Sequence, residues 1–168
     1  MKGDRKAQEQ LFHTYSGIMF SICRRYTNNQ HEAEDMLQEG FIRVFSYLKS
    51  YESTGSFEGW MKKIFVNTAL RTKSKKSYSH ELNGFEKLPE EPIAPSAISK
   101  LSEEQLLVLI SELPEGYRLV FNLYALEGYS HREISEMLGT KESTSRSQLV
   151  KARRMLQEKF LELQKIAV

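Results

Sequence analysis

The chain has 168 residues, 40% of them hydrophobic, which is enough for one or two small domains with buried cores. The net charge is only +2, but acidic and basic residues are separated along the chain. Residues 31–52 carry five acids against two bases, whereas residues 61–76 carry six bases and no acid. A single cysteine excludes an intramolecular disulfide or a cysteine cluster for zinc, and the lack of a membrane-length apolar run or signal-peptide core predicts a cytoplasmic protein without membrane insertion.

Residues 4–26 are predicted to form the first helix, because apolar side chains recur every three or four positions. This stripe consists of Leu11, Phe12, Tyr15, Ile18, Met19, Ile22 and Tyr26. Cys23 lies among apolar neighbours and is expected to be a small buried hydrophobe. Asn28 and Asn29 end the helix.

Residues 31–51 have the most regular helical pattern in the chain. The inward side is predicted to carry Ala33, Met36, Leu37, Gly40, Phe41, Val44, Phe45 and Leu48. The opposite side carries Asp35, Gln38, Glu39 and Ile42. An isoleucine among acids on an outward side indicates a contact surface for another protein, and a solvated side with one stray apolar residue is the alternative.

Residues 52–56 are predicted to be a loop, and residues 57–75 a third helix. Its inward side carries Phe57, Trp60, Met61, Ile64, Phe65 and Thr68, whereas Lys62, Lys63 and Asn67 lie elsewhere. Aromatic rings beside a basic helix are suited to single-stranded nucleic acid, because bases stack on rings while lysines neutralise phosphates. The alternative is that Phe57 and Trp60 are ordinary core residues.

Residues 78–100 contain the proline cluster and no helical stripe, which is typical of a flexible linker. After it, Ser102 is a predicted N-cap for a short helix, and Pro114 opens the next one at a tolerated first-turn position. Residues 119–126 are apolar nearly all round, so we expect this helix to be the buried centre of a second domain.

Residues 128–159 have the pattern of a helix-turn-helix. Ser130 and Glu133 have capping-box spacing, Gly139 has the position of a left-handed C-cap, and a second helix opens at about Lys141. Its predicted inward stripe is Leu149, Ala152, Leu156, Phe160 and Leu163, and the remaining surface is basic. This pattern predicts that the second helix lies in a DNA major groove, with an ordinary helical hairpin as the alternative.

The sequence offers no catalytic constellation. His13, His31, His80 and His131 are scattered over unrelated segments, and there is no Ser-His-Asp grouping, glycine-rich phosphate loop or metal-ligand spacing. We therefore expect a protein that is not an enzyme and uses no cofactor or metal.

Together these segments resemble the small extracytoplasmic-function group of bacterial RNA polymerase sigma factors. Residues 35–45 (DMLQEGFIRVF) resemble the segment that binds the polymerase clamp coiled coil, and residues 50–69 resemble the part that melts and reads the minus-ten element. Residues 113–139 and the basic helix after them resemble the minus-thirty-five reader. The resemblance implies an all-α fold: region two at 1–77, a flexible linker at 78–100, and a helix-turn-helix region four at 101–168.

The resemblance also implies roles for individual residues. The residues implied to contact core polymerase are Asp35, Gln38, Glu39 and Ile42. The minus-ten surface is predicted to consist of Tyr51, Phe57, Trp60, Lys62, Lys63 and Asn67, with the loop at 51–57 pocketing a flipped-out base near Asn67. The residues implied to read the bases of the minus-thirty-five element are Ser143, Thr144, Arg146, Ser147 and Gln148. Lys151 and Arg154 are implied to contact the DNA phosphates.

Several positions depart from the family pattern. Glu52 and Ser53 stand where a basic residue and glycine are frequent, which predicts a shifted minus-ten preference. Gln148 replaces a frequent arginine, which predicts adenine rather than guanine as its partner. Ser145 lies on the inward stripe, so either its hydroxyl bonds back to the carbonyl of Lys141 or the domain is a little less stable.

The sequence therefore predicts a sigma factor that recruits core RNA polymerase, through its clamp coiled coil and flap, to promoter DNA and opens the duplex. An anti-sigma factor is an expected partner. One alternative is a helix-turn-helix regulator that does not engage core polymerase. Another alternative is a DNA-processing enzyme such as a recombinase. Such an enzyme needs a catalytic nucleophile and carboxylates, and this sequence does not offer such a set.

Overall fold

A computed structural model describes residues 5–73 and 102–166. Within these ranges every regular element is helical, which confirms the predicted all-α class. The chain divides into two compact units between Lys73 and Ser74. The predicted linker at 78–100 lies outside the described residues, so the domain bounds based on it stay a prediction.

The first unit is built from three helices, α1 (Arg5–Tyr26), α2 (Gln30–Tyr47) and α3 (Phe57–Lys73). Asn29 begins α2 because its side chain accepts a hydrogen bond from the backbone N–H of Glu32, and Ser56 begins α3 by accepting one from the N–H of Gly59. After Tyr47 the chain tightens into a 3₁₀ turn, Leu48–Ser50, so α2 ends earlier than predicted. The last two residues predicted for α3 lie outside the described ranges.

The core of the first unit lies between the three helices. Its buried side chains include Met19, Ile22, Cys23, Tyr26, Ala33, Met36, Phe41, Val44, Met61, Phe65, Val66 and Ala69. Burial raises the pKa of the Cys23 thiol to about 12, so the group stays neutral, in agreement with the predicted buried hydrophobe. The prediction for Ile18 was wrong: it is 43% exposed, because it lies about 90° around α1 from the centre of the buried positions.

Helices α2 and α3 approach each other closely at Gly40. A Cβ atom at this position would lie 2.1 Å from the ring of Phe65. That ring also meets the ring of Phe41 edge-on, with the centroids 5.4 Å apart. Only glycine allows α2 to pack this closely against α3, because any other side chain at position 40 would occupy the space of the Phe65 ring.

The second unit contains α4 (Glu103–Ser111), α5 (Glu115–Phe121), α6 (His131–Leu138) and α7 (Glu142–Ile166). Ser102 caps α4 as predicted and forms a capping box with Gln105. Pro114 is the N-cap residue of α5, one position before the first helical residue. The chain continues from α5 into one π-helical stretch, Asn122–Leu126.

Two predictions about the core of the second unit were too broad. Residues 119–123 are buried, but Tyr124 and Leu126, which both lie within the π-helical stretch, are each 36% exposed. On α7, Leu149, Ala152 and Leu156 are buried, whereas Leu163 is 41% exposed. The α7 helix has 25 residues against eight in α6, so its last turns extend beyond the core.

We predict that Gly40→Ala destabilises the first unit by about 2 kcal/mol or more, because the added methyl group forces Phe65 or the helix backbone to move. Gly17→Ala is the matched control, since a Cβ there meets nothing within 4 Å and alanine favours an exposed helix position by up to about 1 kcal/mol. Chemical denaturation of the full chain measures both. Equal effects of the two substitutions would contradict the proposed close packing.

Candidate functional site

One side of α2 presents an apolar side chain among acids. Asp35, Gln38, Glu39 and Ile42 recur at helical spacing, and all four are exposed, as the sequence predicted. Ile42 is 60% exposed, the highest value among the exposed large apolar residues of the described chain. Glu39 forms an ion pair with Arg43 at 2.7 Å on the flank of this surface. We call these four residues the α2 surface.

Three rings before and at the start of α3 form an aromatic cluster, Tyr51, Phe57 and Trp60. The centroids of Phe57 and Trp60 are 5.5 Å apart in a stacked arrangement, and the Tyr51 ring lies 5.1 Å from Phe57 and 5.3 Å from Trp60. All three side chains are half-buried, so the cluster serves both as packing and as accessible aromatic surface. Tyr15 of α1 supports it with an edge contact to Phe57 at 5.9 Å, which the sequence pattern did not reveal.

The loop at 52–56 is closed by the same tyrosine. The Tyr51 hydroxyl donates a hydrogen bond to the carbonyl of Gly55 at 2.6 Å, and Ser56 fixes the other end as the cap of α3. Ser53 has a φ of 56°, in the left-handed region that favours glycine, which explains physically why glycine suits this position. The two hydrogen bonds therefore hold both ends of the exposed loop next to the aromatic cluster.

The accessible side of α3 continues from the cluster toward its C-terminal half. Trp60, Lys63 and Asn67 lie on one side of the helix, over about 10 Å, and Lys63 and Asn67 are exposed. Lys62 forms an ion pair with Glu58 at 2.7 Å. The aromatic cluster, Lys63 and Asn67 thus make a continuous surface, with rings at one end and an amide at the other. Lys62 lies outside this surface, because it is about 140° around α3 from Asn67.

The helix-turn-helix has the local geometry that the sequence predicted. Ser130 and Glu133 form both bonds of a capping box, and Gly139 has a φ of 64° at the end of α6. Early in α7, Ser143 and Arg146 are exposed, whereas Thr144 and Ser147 are half-buried. Arg146 pairs with Glu142 and Arg154 with Glu158, both as exposed neighbours four residues apart, which are weak interactions that an anion can replace.

Two predictions for α7 do not agree with the structure. Gln148 is only 6% exposed, so in this conformation its amide does not present the edge needed to read a base. It packs inside the domain, on the side of α7 that also buries Leu149 and Ala152. The Ser145 hydroxyl does not bond to the carbonyl of Lys141, which instead accepts the backbone N–H of Ser145.

The Ser145 hydroxyl has a partner that sequence reasoning missed. Its Oγ atom lies 2.9 Å from Nδ1 of His131, the first residue of α6, and both side chains are buried. The sequence analysis treated His131 as one of four scattered histidines. No local pattern reveals the bond, because the two residues are 14 positions apart and meet only when the helix-turn-helix closes.

Within residues 5–73 and 102–166, no group of three or more His, Cys, Asp or Glu side chains is placed to hold a metal ion. In the same part of the chain, no helix is both long enough and apolar enough to cross a membrane.

Removing the Tyr51 hydroxyl is predicted to loosen the loop. Tyr51→Phe keeps the ring contacts but loses the bond to Gly55, so the first unit should lose about 0.5–1.5 kcal/mol of stability, nearer the lower value because the bond is exposed. Tyr47→Phe is the control, since Tyr47 is 50% exposed. Hydrogen exchange of the 52–56 amides should rise in Tyr51→Phe alone, and unchanged exchange would contradict the closure of the loop by Tyr51.

Two protein families match this chain, one in each half of the sequence. The family described as "Sigma-70 region 2" matches residues 11–78, and the one described as "Sigma-70, region 4" matches residues 97–156. The solved structure of the sigma factor RpoE from Bartonella quintana, in complex with the anti-sigma factor NepR, is similar in fold with a TM-score of 0.55. It is 18% identical, and the likeness covers 94% of this chain and 98% of that chain.

Curated relatives extend the match over nearly the whole chain. The ECF RNA polymerase sigma factor SigE of Mycolicibacterium smegmatis is 32% identical over 165 residues, covering 93% of this chain but only 63% of SigE. The ECF RNA polymerase sigma factor SigW of Bacillus subtilis is 27% identical over 178 residues, covering 96% of this chain and 93% of SigW. Both family regions occur in order on two helical units, and the chain therefore belongs to the extracytoplasmic-function group of RNA polymerase sigma factors.

Proposed function

We propose that this chain binds core RNA polymerase, directs it to a subset of promoters and opens the DNA there. The observation that carries the proposal is the exposure of Ile42 among the acids of the α2 surface, in a chain that also holds a helix-turn-helix. A regulator that only binds DNA has no use for such a surface. The second candidate, a helix-turn-helix regulator that ignores core polymerase, is therefore less well supported.

The α2 surface suits a protein partner of mixed character. Exposed Asp35 and Glu39 attract basic side chains, whereas Ile42 gains from removal of its apolar area from water. The surface lies on the outside of a helix whose other side is fixed by the contact between Gly40 and Phe65, so it is presented rigidly. We assign it to the polymerase clamp coiled coil.

Asp35→Ala combined with Ile42→Ala is predicted to weaken binding to core polymerase by about tenfold or more, because burial of an isoleucine alone contributes about 1.5–3 kcal/mol and tenfold corresponds to about 1.4 kcal/mol. The melting temperature should hardly change, since both side chains are exposed. Ile18→Ala is the control, because it removes an apolar side chain of similar exposure from α1. Unchanged affinity of the double variant in a titration with core polymerase would rule out this surface.

The aromatic cluster and the accessible side of α3 suit unpaired bases. Stacking on the accessible part of a half-buried ring favours a base that has left the duplex, and Asn67 offers both a donor and an acceptor to the edge of that base. The loop at 52–56 is held beside these groups by Tyr51, which reduces the ordering needed when a base enters. We propose that this surface captures a base of the minus-ten element.

Asn67→Ala is predicted to lose discrimination at one minus-ten position while still initiating on a template whose bubble is already open. Because the Asn67 side chain is exposed, the substitution should leave the fold intact, and an unchanged melting temperature checks this. Abortive transcription from paired duplex and pre-melted templates is the measurement. Lys165→Ala, an exposed substitution near the end of α7, is the control. Equal losses on the two templates would contradict a role in capturing bases.

The early part of α7 suits a major groove. We assign base edges to Ser143, Thr144, Arg146 and Ser147 and phosphates to Lys151 and Arg154, and we remove Gln148 from the base-reading set because it is buried. Arg146 can bond a guanine with two donors. Serine and threonine hydroxyls bond either bases or phosphates.

Arg154→Ala is predicted to weaken promoter binding alike for all sequences and to lower the slope of log affinity against log salt by about 0.9, as expected for one lost phosphate contact. Arg146→Ala should instead change preference at one minus-thirty-five position. Lys165→Ala is again the control, because Lys165 is exposed but lies at the far end of α7. Binding of the full chain with core polymerase to single-base variants at several salt concentrations distinguishes these outcomes. A base-specific effect of Arg154→Ala would contradict the assignment.

Further partners follow from the relatives. Because the Bartonella quintana sigma factor was solved with the anti-sigma factor NepR, we propose an anti-sigma partner for this chain too. The polymerase flap is the second contact that we propose for region four. Because core polymerase and promoter DNA are the proposed partners, we propose that the protein acts in the cytoplasm. Its proposed role as a positioning factor requires no catalytic group of its own.

The proposal as a whole is tested by in vitro transcription on genomic fragments, with start sites mapped in the presence and absence of the chain. We expect a set of starts that appear only when core polymerase and the chain are both present, preceded by shared minus-thirty-five and minus-ten sequences. Starts that do not depend on the chain, together with DNA binding in the absence of polymerase, would favour the regulator.

A further inference from the structure

The two helices of the helix-turn-helix are joined inside the second unit by a bond between side chains. Nδ1 of His131 lies 2.9 Å from Oγ of Ser145, and both residues are buried. Ser145 stands between Thr144 and Arg146, in the segment assigned to the major groove. The bond therefore holds α7 at the place where it would meet DNA.

The His131 ring is itself held in place. It stacks on the ring of Tyr124, with the centroids 4.4 Å apart and an interplanar angle of 19°. The guanidinium of Arg153 lies 5.7 Å from the centroid of the same Tyr124 ring. Arg153 follows Ser145 by about 12 Å along α7, so the helix is attached to the stacked pair at two points along its length.

A bond of this kind restricts the orientation of a helix more than apolar packing does. Hydrophobic contact is non-directional, so packed apolar side chains tolerate small rotations. A hydrogen bond weakens steeply when its angle departs from linear, and a buried hydroxyl that loses its partner is unfavourable. Attachment at Ser145 and at Arg153 opposes rotation of α7 about its own axis as well as a change in its angle to α6.

We propose that His131 and Ser145 are positioning residues that set the base preference of α7 without touching DNA. The inference rests on the proposed reading of the minus-thirty-five element by this helix. Base pairs in the major groove differ in the placement of donors, acceptors and methyl groups. A rotation of α7 changes which of these groups Ser143 and Arg146 reach. Loss of the bond between His131 and Ser145 should therefore reduce the discrimination between base pairs.

The test compares Ser145→Thr with Ser145→Val in holoenzyme assembled from the full chain and core polymerase. The two variants have the same shape, and only threonine keeps a hydroxyl for His131. Binding is measured on a panel of single-base minus-thirty-five variants at several salt concentrations. Threonine should keep the wild-type profile. Valine should reduce discrimination at one or more positions by about threefold or more, out of the roughly 5- to 150-fold of a typical mismatch, with an unchanged salt slope.

Two further variants keep the test decisive. His131→Phe keeps a ring to stack on Tyr124 but removes the nitrogen, so it should act as valine does, and it replaces the valine variant if that chain does not fold. Leu149→Val trims a buried side chain of α7 outside the pair and should lower the melting temperature without changing the profile.

Each result has one meaning. Identical base-preference profiles for Ser145→Thr and Ser145→Val would overturn the inference. Reduced discrimination in Leu149→Val would overturn it too, since base preference would then follow stability alone. A wild-type chain with no minus-thirty-five preference would overturn the proposed function of the second unit, and this inference with it.

Discussion

The contact between Gly40 and Phe65 is the constraint on which the first unit depends. It brings α2 and α3 so close that no side chain fits between the Gly40 backbone and the phenyl ring. This packing fixes which side of each helix is buried, and therefore which side faces outward. The α2 surface and the accessible side of α3 are consequences of the same contact, so binding to polymerase and capture of bases would share one rigid support.

The second unit achieves rigidity by a different kind of interaction. Its core contains the apolar side chains Leu119, Leu123 and Leu149, but the joint between the two helices of the helix-turn-helix includes a buried histidine and a buried serine. Apolar packing stabilises the unit, and under the proposal above the directional bond between His131 and Ser145 would define the angle at which α7 is presented. Arg146 and Arg154 on its outside are in weak exposed pairs with Glu142 and Glu158, and so would be available to the phosphates and bases of the proposed DNA site.

The sequence predicted those features that local physics determines. The caps at Ser102 and Ser130, the left-handed Gly139 and the outward α2 surface follow from spacing and residue type, and the structure confirms them. Sequence reasoning was wrong where tertiary packing decides. Examples are Ile18 at the margin of its stripe, Leu163 beyond the end of the core, and Gln148, whose polar side chain is buried.

The candidate site shows the same division. Phe57 and Trp60 were singled out from the sequence because they are aromatic and lie three residues apart in a basic helix, whereas Tyr51 was added by the family resemblance. The support from Tyr15 and the bond between His131 and Ser145 were not predicted, because each joins separate helices. The proposed roles of the individual residues toward polymerase and DNA follow from exposure, charge and resemblance.

Mapping of unpaired thymines by permanganate in promoter complexes tests the central claim most directly, that this chain both recruits polymerase and opens DNA. The account predicts reactive thymines around the minus-ten element only when the chain and core polymerase are both present. It also predicts that they diminish when the α2 surface or Asn67 is altered. Stable binding of the chain to the duplex with no reactive thymines in the presence of core polymerase would contradict it.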